Sequence, residues 1–221
     1  MSISRSHNWL IYAIILPPLR EILRQYAKGR LIDIGCGVKP YKEIIAPYVD
    51  EHIGIDHENS PHPSDNVDLI GTAYKIPVED GHFDTALCTD VLEHLEEPSD
   101  AIAETYRVLK KGGYAVYTVP LFWHLHEEPR DFYRYTCHGL KYLFEKNEFE
   151  VVDIIPLSGF IVTFSQELLY FLQYFRRGGW LNPLWWLIPP LGHIIQAFAY
   201  LLNKVDRSKQ FTAEYLIVAR K

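Results

Sequence analysis

The densest run of reactive side chains lies at 120–136, PLFWHLHEEPRDFYRYT, which holds His124, His126, Glu127, Glu128, Asp131, Tyr133, Arg134 and Tyr135. Imidazole, carboxylate, phenol and guanidinium groups gathered in one segment can move protons or orient a polar acceptor. His126 is the candidate acid/base or acceptor-orienting group, with Asp131, Tyr133 and Arg134 as its catalytic neighbours. Part of the set also has an architectural reading. Asp131 and Arg134 are spaced to form an ion pair, and Thr136 stands where it would cap the following helix.

A second constellation lies upstream. In LIDIGCGVKPY at 31–41 an apolar run carries Asp33 and turns through Gly35, Cys36 and Gly37. Glycines let a chain turn sharply and let its backbone approach a ligand. Such turns also close ordinary strand-helix units. The next apolar run, IGID, ends in Asp56, followed by His57. An acid at that place accepts hydrogen bonds from ribose hydroxyls. A nicotinamide dinucleotide calls for a third glycine to admit its pyrophosphate, whereas Val38, Lys39 and Pro40 follow Gly37 here. Asp33 beside the turn suits a cationic amino-acid group better than a diphosphate. A nicotinamide-dependent oxidoreductase is therefore the disfavoured reading.

The elements that must position these groups follow from periodicity. Short apolar runs at 30–34, 52–55, 67–70, 83–88, 114–119, 150–155 and 214–219 read as strands. Helical spacing at 19–28, after Pro17 and Pro18, at 98–110, ended by Gly112 and Gly113, and at 136–146 supplies the alternation of a mainly parallel sheet. The fold class is α/β: a Rossmann-like, seven-stranded, mostly parallel sheet with helices on both faces. With 221 residues the chain is read as a single domain over 1–221. Its parts are an N-terminal helical segment at 1–28, a core at 29–155 and 211–221, and a hydrophobic helical insertion at 156–210 before the last strand.

Taken in order, these pieces resemble a class I S-adenosylmethionine-dependent methyltransferase of the small bacterial and archaeal type, over 25–155 and the final strand. The resemblance rests on DIGCG at 33–37, GID at 54–56, GTAYKIP at 71–77, FDTALCTDVLEHLEEP at 83–98, RVLKKGG at 107–113 and YTVP at 117–120. It implies S-adenosylmethionine as cofactor, with Asp33, Gly35, Cys36 and Gly37 around its methionine part and Asp56 and His57 at its ribose. Thr72 and Ala73 match positions lining the adenine, although the family usually has an acidic residue where Thr72 stands. Thr89 and Asp90 match positions beneath the sulfonium, and His94, one turn further on, is either a cofactor contact or a capping and packing residue. A string of the type H-x-x-P-x-D-[FY]-x-R-[FY]-T matches His126, Pro129, Asp131, Phe132, Arg134, Tyr135 and Thr136. The implied activity is methyl transfer to an acceptor. A non-catalytic, S-adenosylmethionine-binding scaffold is the rival.

Composition narrows the partners. A net charge of −6 leaves no broad basic face, so no nucleic acid is expected. Cys36, Cys88 and Cys137 form neither a CxxC pair nor a cluster at metal spacing, so no metal is expected. The apolar run at 9–16 is short and lacks a cleavage site, which points to a cytoplasmic setting. From Gly178 through Asn203 there is no Asp, Glu, Lys or Arg. Two apolar stretches, 154–175 and 180–202, flank Arg176 and Arg177, and Pro183, Pro189 and Pro190 are expected to break the second. Trp180, Trp185, Trp186, Tyr170, Tyr174 and Tyr200 are residue types of a membrane interface. The insertion is thus expected to meet the inner face of a membrane, a homodimer partner through 156–205, or a hydrophobic, lipid-linked small acceptor.

Overall fold

A computed structural model describes residues 8–60 and 64–221. Residues 1–7 of the expected N-terminal segment lie outside the described residues. The chain forms two compact units: Leu19–Leu121 with Leu125–Ile155 and Tyr215–Lys221, and the residues up to Pro18 with Phe122–His124 and Pro156–Glu214.

The first unit is built on a seven-stranded sheet. Its strands are β1 (Arg30–Ile34), β2 (Glu51–Asp56), β3 (Leu69–Ile70), β4 (Phe83–Thr89), β5 (Leu109–Pro120), β6 (Glu150–Pro156) and β7 (Glu214–Arg220), in the order β3-β2-β1-β4-β5-β7-β6. Helices α2 (Lys42–Ile45), α3 (Pro98–Val108) and α4 (Cys137–Lys146) alternate with them. The pairs β1–β2, β1–β4, β2–β3 and β4–β5 are parallel. Near the start of β5, Gly112 N–H donates to the Lys221 carbonyl and Lys221 N–H to that of Gly113, whereas past its end Phe122 N–H donates to Ala213. β7 therefore runs antiparallel to β5. Central strands read as continuous apolar runs because both faces are covered: Leu31, Ile32, Ala86, Leu87, Val116, Leu216 and Ile217 are fully buried. The chain leaves β1 toward β2 on one side and β4 lies on the other, so the crevice at the carboxyl ends of β1 and β4 is the topological switch point.

Two boundaries differ from expectation. Helix α3 stops at Val108, and β5 starts at Leu109 instead of 114. Leu109, fully buried, already pairs with Phe83, after which the register jumps to Thr85 opposite Tyr114. The extra residues, with Gly112 at φ +80°, sit in this irregularity within the strand and make no separate turn. At the other end of the chain, helix α1 runs over Trp9–Tyr26 with Pro17 and Pro18 inside it, not from residue 19. Leu10, Ile11, Ile15, Leu19, Ile22 and Leu23 form a buried stripe on both sides of the prolines. That burial offsets the lost backbone bonds, worth about 3 kcal/mol or more.

The second unit is helical. Helix α5 (Phe160–Gln173) begins where Asp206 Oδ2 accepts from Ile161 N–H at 2.8 Å and Ser208 Oγ from Phe160 N–H at 3.0 Å. Helix α6 (Pro183–Leu202) carries Pro183 in its first turn, capped by Asn182 Oδ1 on Leu184 N–H, and continues through Pro189 and Pro190, which were expected to break it. Close contact with α5 holds it there: a Cβ at Gly192 would lie 3.4 Å from Leu169. Residues 8–18 join these helices, with Leu10 N–H donating to Gln196 Oε1 and the Trp9 ring 5.9 Å from that of Tyr200. Ser158, Thr163 and Thr212 form a buried hydroxyl network beneath α5.

Candidate functional site

The glycine turn is tied to the end of β2. Gly35 and Cys36 N–H both donate to the Ile55 carbonyl, at 2.9 and 3.1 Å. Gly35 has φ +69°, and a Cβ there would stand 2.5 Å from Val91 Cγ2, so only glycine lets the turn lie against the segment after β4. Gly37 N–H donates to Asp56 Oδ2 at 3.0 Å and His57 N–H to Asp56 Oδ1 at 2.8 Å. One carboxylate thus locks both strand ends. A carboxylate offers about four lone-pair sites, so two backbone donors leave it able to accept hydroxyls as well.

Asp33 is 3% exposed and faces His52 Nε2 at 3.0 Å. Burial pushes its carboxyl above the usual range, against the pull of His52. A cationic amino group arriving beside it would favour the ionised form. Below the turn, Lys39 reaches the His52 carbonyl at 3.2 Å and pairs with Asp68, whose carboxylate also accepts from Gly54 N–H at 2.6 Å. Gly54 is required for this, since a Cβ would lie 2.3 Å from Lys39 Cε and 2.6 Å from Cys36 Sγ. Burial, then the charges of Asp33 and Asp56, push the Cys36 thiol up to about 12.

Thr72 and Ala73 follow Gly71, whose N–H donates to the Asp56 carbonyl at 3.0 Å. Thr72 is exposed and Ala73 half-buried. Thr89 ends β4 opposite Thr118, and Asp90 takes a left-handed backbone, φ +52°. Its N–H donates to the Thr118 carbonyl at 3.1 Å, and Thr118 Oγ1 donates to its carboxylate at 3.0 Å.

His94 closes a short 3-10 turn, Leu92–His94, and its ring meets that of His126 edge-on at 4.8 Å. His126 N–H donates to Asp131 Oδ2 at 2.9 Å, and its Nδ1 stands 3.4 Å from the same oxygen. Arg134 grips Asp131 with two bonds of 2.6 and 2.8 Å. That guanidinium, opposed by burial and helped by His126, holds Asp131 well below the usual carboxylate range. Tyr133 donates its hydroxyl to the Glu96 carbonyl at 2.9 Å, and Thr136 Oγ1 accepts from Gly139 N–H to cap α4. The reactive segment read from sequence is divided between the units. His126, Asp131, Tyr133 and Arg134 lie with the sheet, whereas His124 lies in the helical unit, 3.3 Å from Glu167 and with its ring centre 4.1 Å from that of Tyr170.

Sequence reasoning missed His52, Lys39, Asp68 and Glu93. His52 sits in a strand, and only the β1–β2 register, Leu31 opposite His52 and Asp33 opposite Gly54, sets it diagonal to Asp33. Glu93 is fully buried, and burial followed by the charge of Asp90 pushes its carboxyl well above the usual range. Its signal in sequence is slight: an acid inside an apolar run, beside His94.

Residues 32–117 match the family profile described as a methyltransferase domain. The ubiquinone biosynthesis O-methyltransferase of Dechloromonas aromatica is 33% identical over 98 residues, 39% of this chain and 42% of that protein. An uncharacterized Bacillus subtilis methyltransferase, YcgJ, is 32% identical over 98 residues, 39% of each protein. The chain thus spans less than half the length of these curated relatives. Among solved structures, an S-adenosylmethionine-dependent methyltransferase from Mesorhizobium loti superposes with a TM-score of 0.61 at 15% identity, covering 96% of this chain and all of that one. The [4+2]-cyclase SpnF gives 0.59 at 22% identity, over 92% and 80% of the two chains. A cyclase on the same fold shows that the fold by itself does not fix the reaction. Residues 32–117 thus resemble a methyltransferase domain, and the chain shares the fold of S-adenosylmethionine-dependent methyltransferases.

Proposed function

We propose that the protein transfers the methyl group of S-adenosylmethionine to a small hydrophobic or lipid-linked acceptor, and that it does so as a cytoplasmic protein seated on the inner face of the membrane. The observation that carries the catalytic part is the Asp56 carboxylate bound by Gly37 and His57 N–H at the carboxyl ends of β1 and β2, next to the β1–β4 switch point. In this reading Asp56 holds the ribose hydroxyls, Asp33 the amino group, Thr72 and Ala73 the adenine, and Thr89 and Asp90 the side nearest the sulfur. The cofactor, when bound, supplies a methyl on a positively charged sulfur, open to in-line displacement.

Positioning provides much of the rate of such a displacement, and a proton acceptor is needed only for a protonated acceptor. His126, its ring set by Asp131 and Arg134, orients the acceptor or takes its proton. A hydroxyl-bearing acceptor is in keeping with the relative named as an O-methyltransferase of ubiquinone biosynthesis.

The membrane part is supported by the surface of the helical unit. Trp180, Leu181, Trp186, Leu187, Ile194 and Phe198 are all exposed, and Arg176 and Arg177 lie beside them in sequence. Helix α6 has the length and composition of a membrane span, yet only 22% of its apolar window is buried within the protein. Such aromatic and aliphatic side chains favour the head-group boundary. Flotation with anionic vesicles tests it. The protein is expected to rise with the lipid; a vesicle-indifferent soluble dimer would replace the membrane by a second copy of the chain. Transfer of labelled methyl into fractionated lipid and soluble extracts tests the acceptor, with Asp56→Ala as the blank.

A further inference from the structure

Glu93, His94 and His126 converge from two segments of the sheet unit. Glu93 and His94 lie in the 3-10 turn after β4, and His126 lies beyond β5. The Nε2 atoms of both histidines stand 3.9 Å from Glu93 Oε1, and one donor atom from each of the three residues lies within 4.8 Å of the others. Glu93 is 0% exposed, and neither of its carboxylate oxygens has a hydrogen-bond partner. A carboxylate buried in this way is ordinarily paired with a charge or bound to a metal.

One imidazole is held through its other nitrogen, His94 Nδ1 meeting the Arg130 carbonyl at 2.5 Å. His126 Nδ1 lies 3.4 Å from Asp131 Oδ2 and 3.5 Å from Arg134 Nη2. Anchoring one ring nitrogen on a carbonyl or carboxylate is how proteins present the other to a metal. Two imidazole nitrogens and one carboxylate oxygen suit borderline first-row ions better than calcium or magnesium. Metal bonds near 2.1 Å put tetrahedral ligands about 3.4 Å apart, so separations of 3.9 Å close with small side-chain movements. Glu127, half-exposed with Oε2 at 3.8 Å from His94 Nε2, is in reach as a fourth ligand.

We propose that Glu93, His94 and His126 bind one divalent first-row transition cation such as zinc, manganese or cobalt. The site stands on its own geometry; its use in catalysis rests on the methyl-transfer reading. There, the positions that protein ligands leave open take an acceptor oxygen, and His126 orients the acceptor through the ion instead of accepting its proton.

The test is titration of the full-length, EDTA-treated protein with Zn2+ by calorimetry and with Co2+ by visible absorption, beside a titration with S-adenosylhomocysteine. One cation per chain is expected. Glu93→Gln, His94→Ala and His126→Ala should each weaken it at least tenfold, and Asp131→Asn, which removes only the outer partner, by about tenfold. His138→Ala, on the exposed side of α4, should bind as the parent does. Circular dichroism confirms that each variant is folded. Parent protein that binds no stoichiometric cation, or ligand variants that bind it unchanged, would overturn the site. Because S-adenosylhomocysteine is titrated separately, its binding without any cation response would remove the metal and leave the methyltransferase reading standing.

Discussion

The two units use similarly apolar sequences in opposite ways. In the sheet unit the apolar residues of the inner strands point inward: Leu216, Ile217, Val218 and Ala219 are all fully buried. In the helical unit Trp180 and Leu181 remain 70% and 74% exposed. Composition therefore predicts apolarity in both places and burial in only one. What separates them is hydrogen bonding. A strand inside the sheet satisfies its backbone with neighbours on both sides and is here covered on both faces, whereas a helix satisfies its own backbone and can leave half its surface open.

The sharpest way to break this comparison is to load the glycine turn. Gly35→Val places a β-branched residue at φ +69° against Val91. It should cost on the order of 3 kcal/mol or more in denaturant unfolding and abolish S-adenosylhomocysteine binding. Wild-type stability would show that the turn can move away from Val91. Next in size is a paired substitution. Leu216→Ala should cost about 2–5 kcal/mol, and Ile194→Ser, on the open face of α6, about 0.5 kcal/mol or less while weakening vesicle flotation. Equal losses would mean that the α6 face is core after all.

Much of the sheet was legible because its signals are local. Each strand is an apolar run with a polar or glycine end, and DIGCG and IGID mark the carboxyl ends where ligands gather. The boundaries that shifted were set by tertiary contact: Leu109 became strand because Phe83 pairs with it, and α1 and α6 kept their prolines because buried neighbours hold the turns on either side. In the candidate site, the nearness of Asp56 to the glycine turn and of Asp131 to His126 could be read from chemistry and spacing. The site was illegible where the register decides, as at His52, or where burial decides, as at Glu93.

A smaller effect probes the acids beneath the turn. Although burial opposes it, the Lys39 ammonium and Gly54 N–H hold Asp68 below its ordinary range. A depressed folded pKa gives stability that is present above the unfolded value, near 3.9, and is lost as pH falls through the folded value. Asp68→Asn should therefore be less stable than the parent at pH 7, with the difference shrinking below about pH 4. A gap that widens in acid would contradict the pairing. Smallest is a chemical probe: with its thiol pushed up to about 12, Cys36 should resist alkylation at pH 8 in the folded protein and react on unfolding.

The most direct measurement is calorimetry of S-adenosylhomocysteine with the parent protein and with Asp56→Ala, both checked for native circular dichroism. Removing that carboxylate takes away the ribose acceptor and the lock between Gly37 and His57, so affinity should fall on the order of a hundredfold. Equal affinity in the two proteins, or no heat with a well-folded parent, would contradict a nucleoside pocket at the end of β1 and β2.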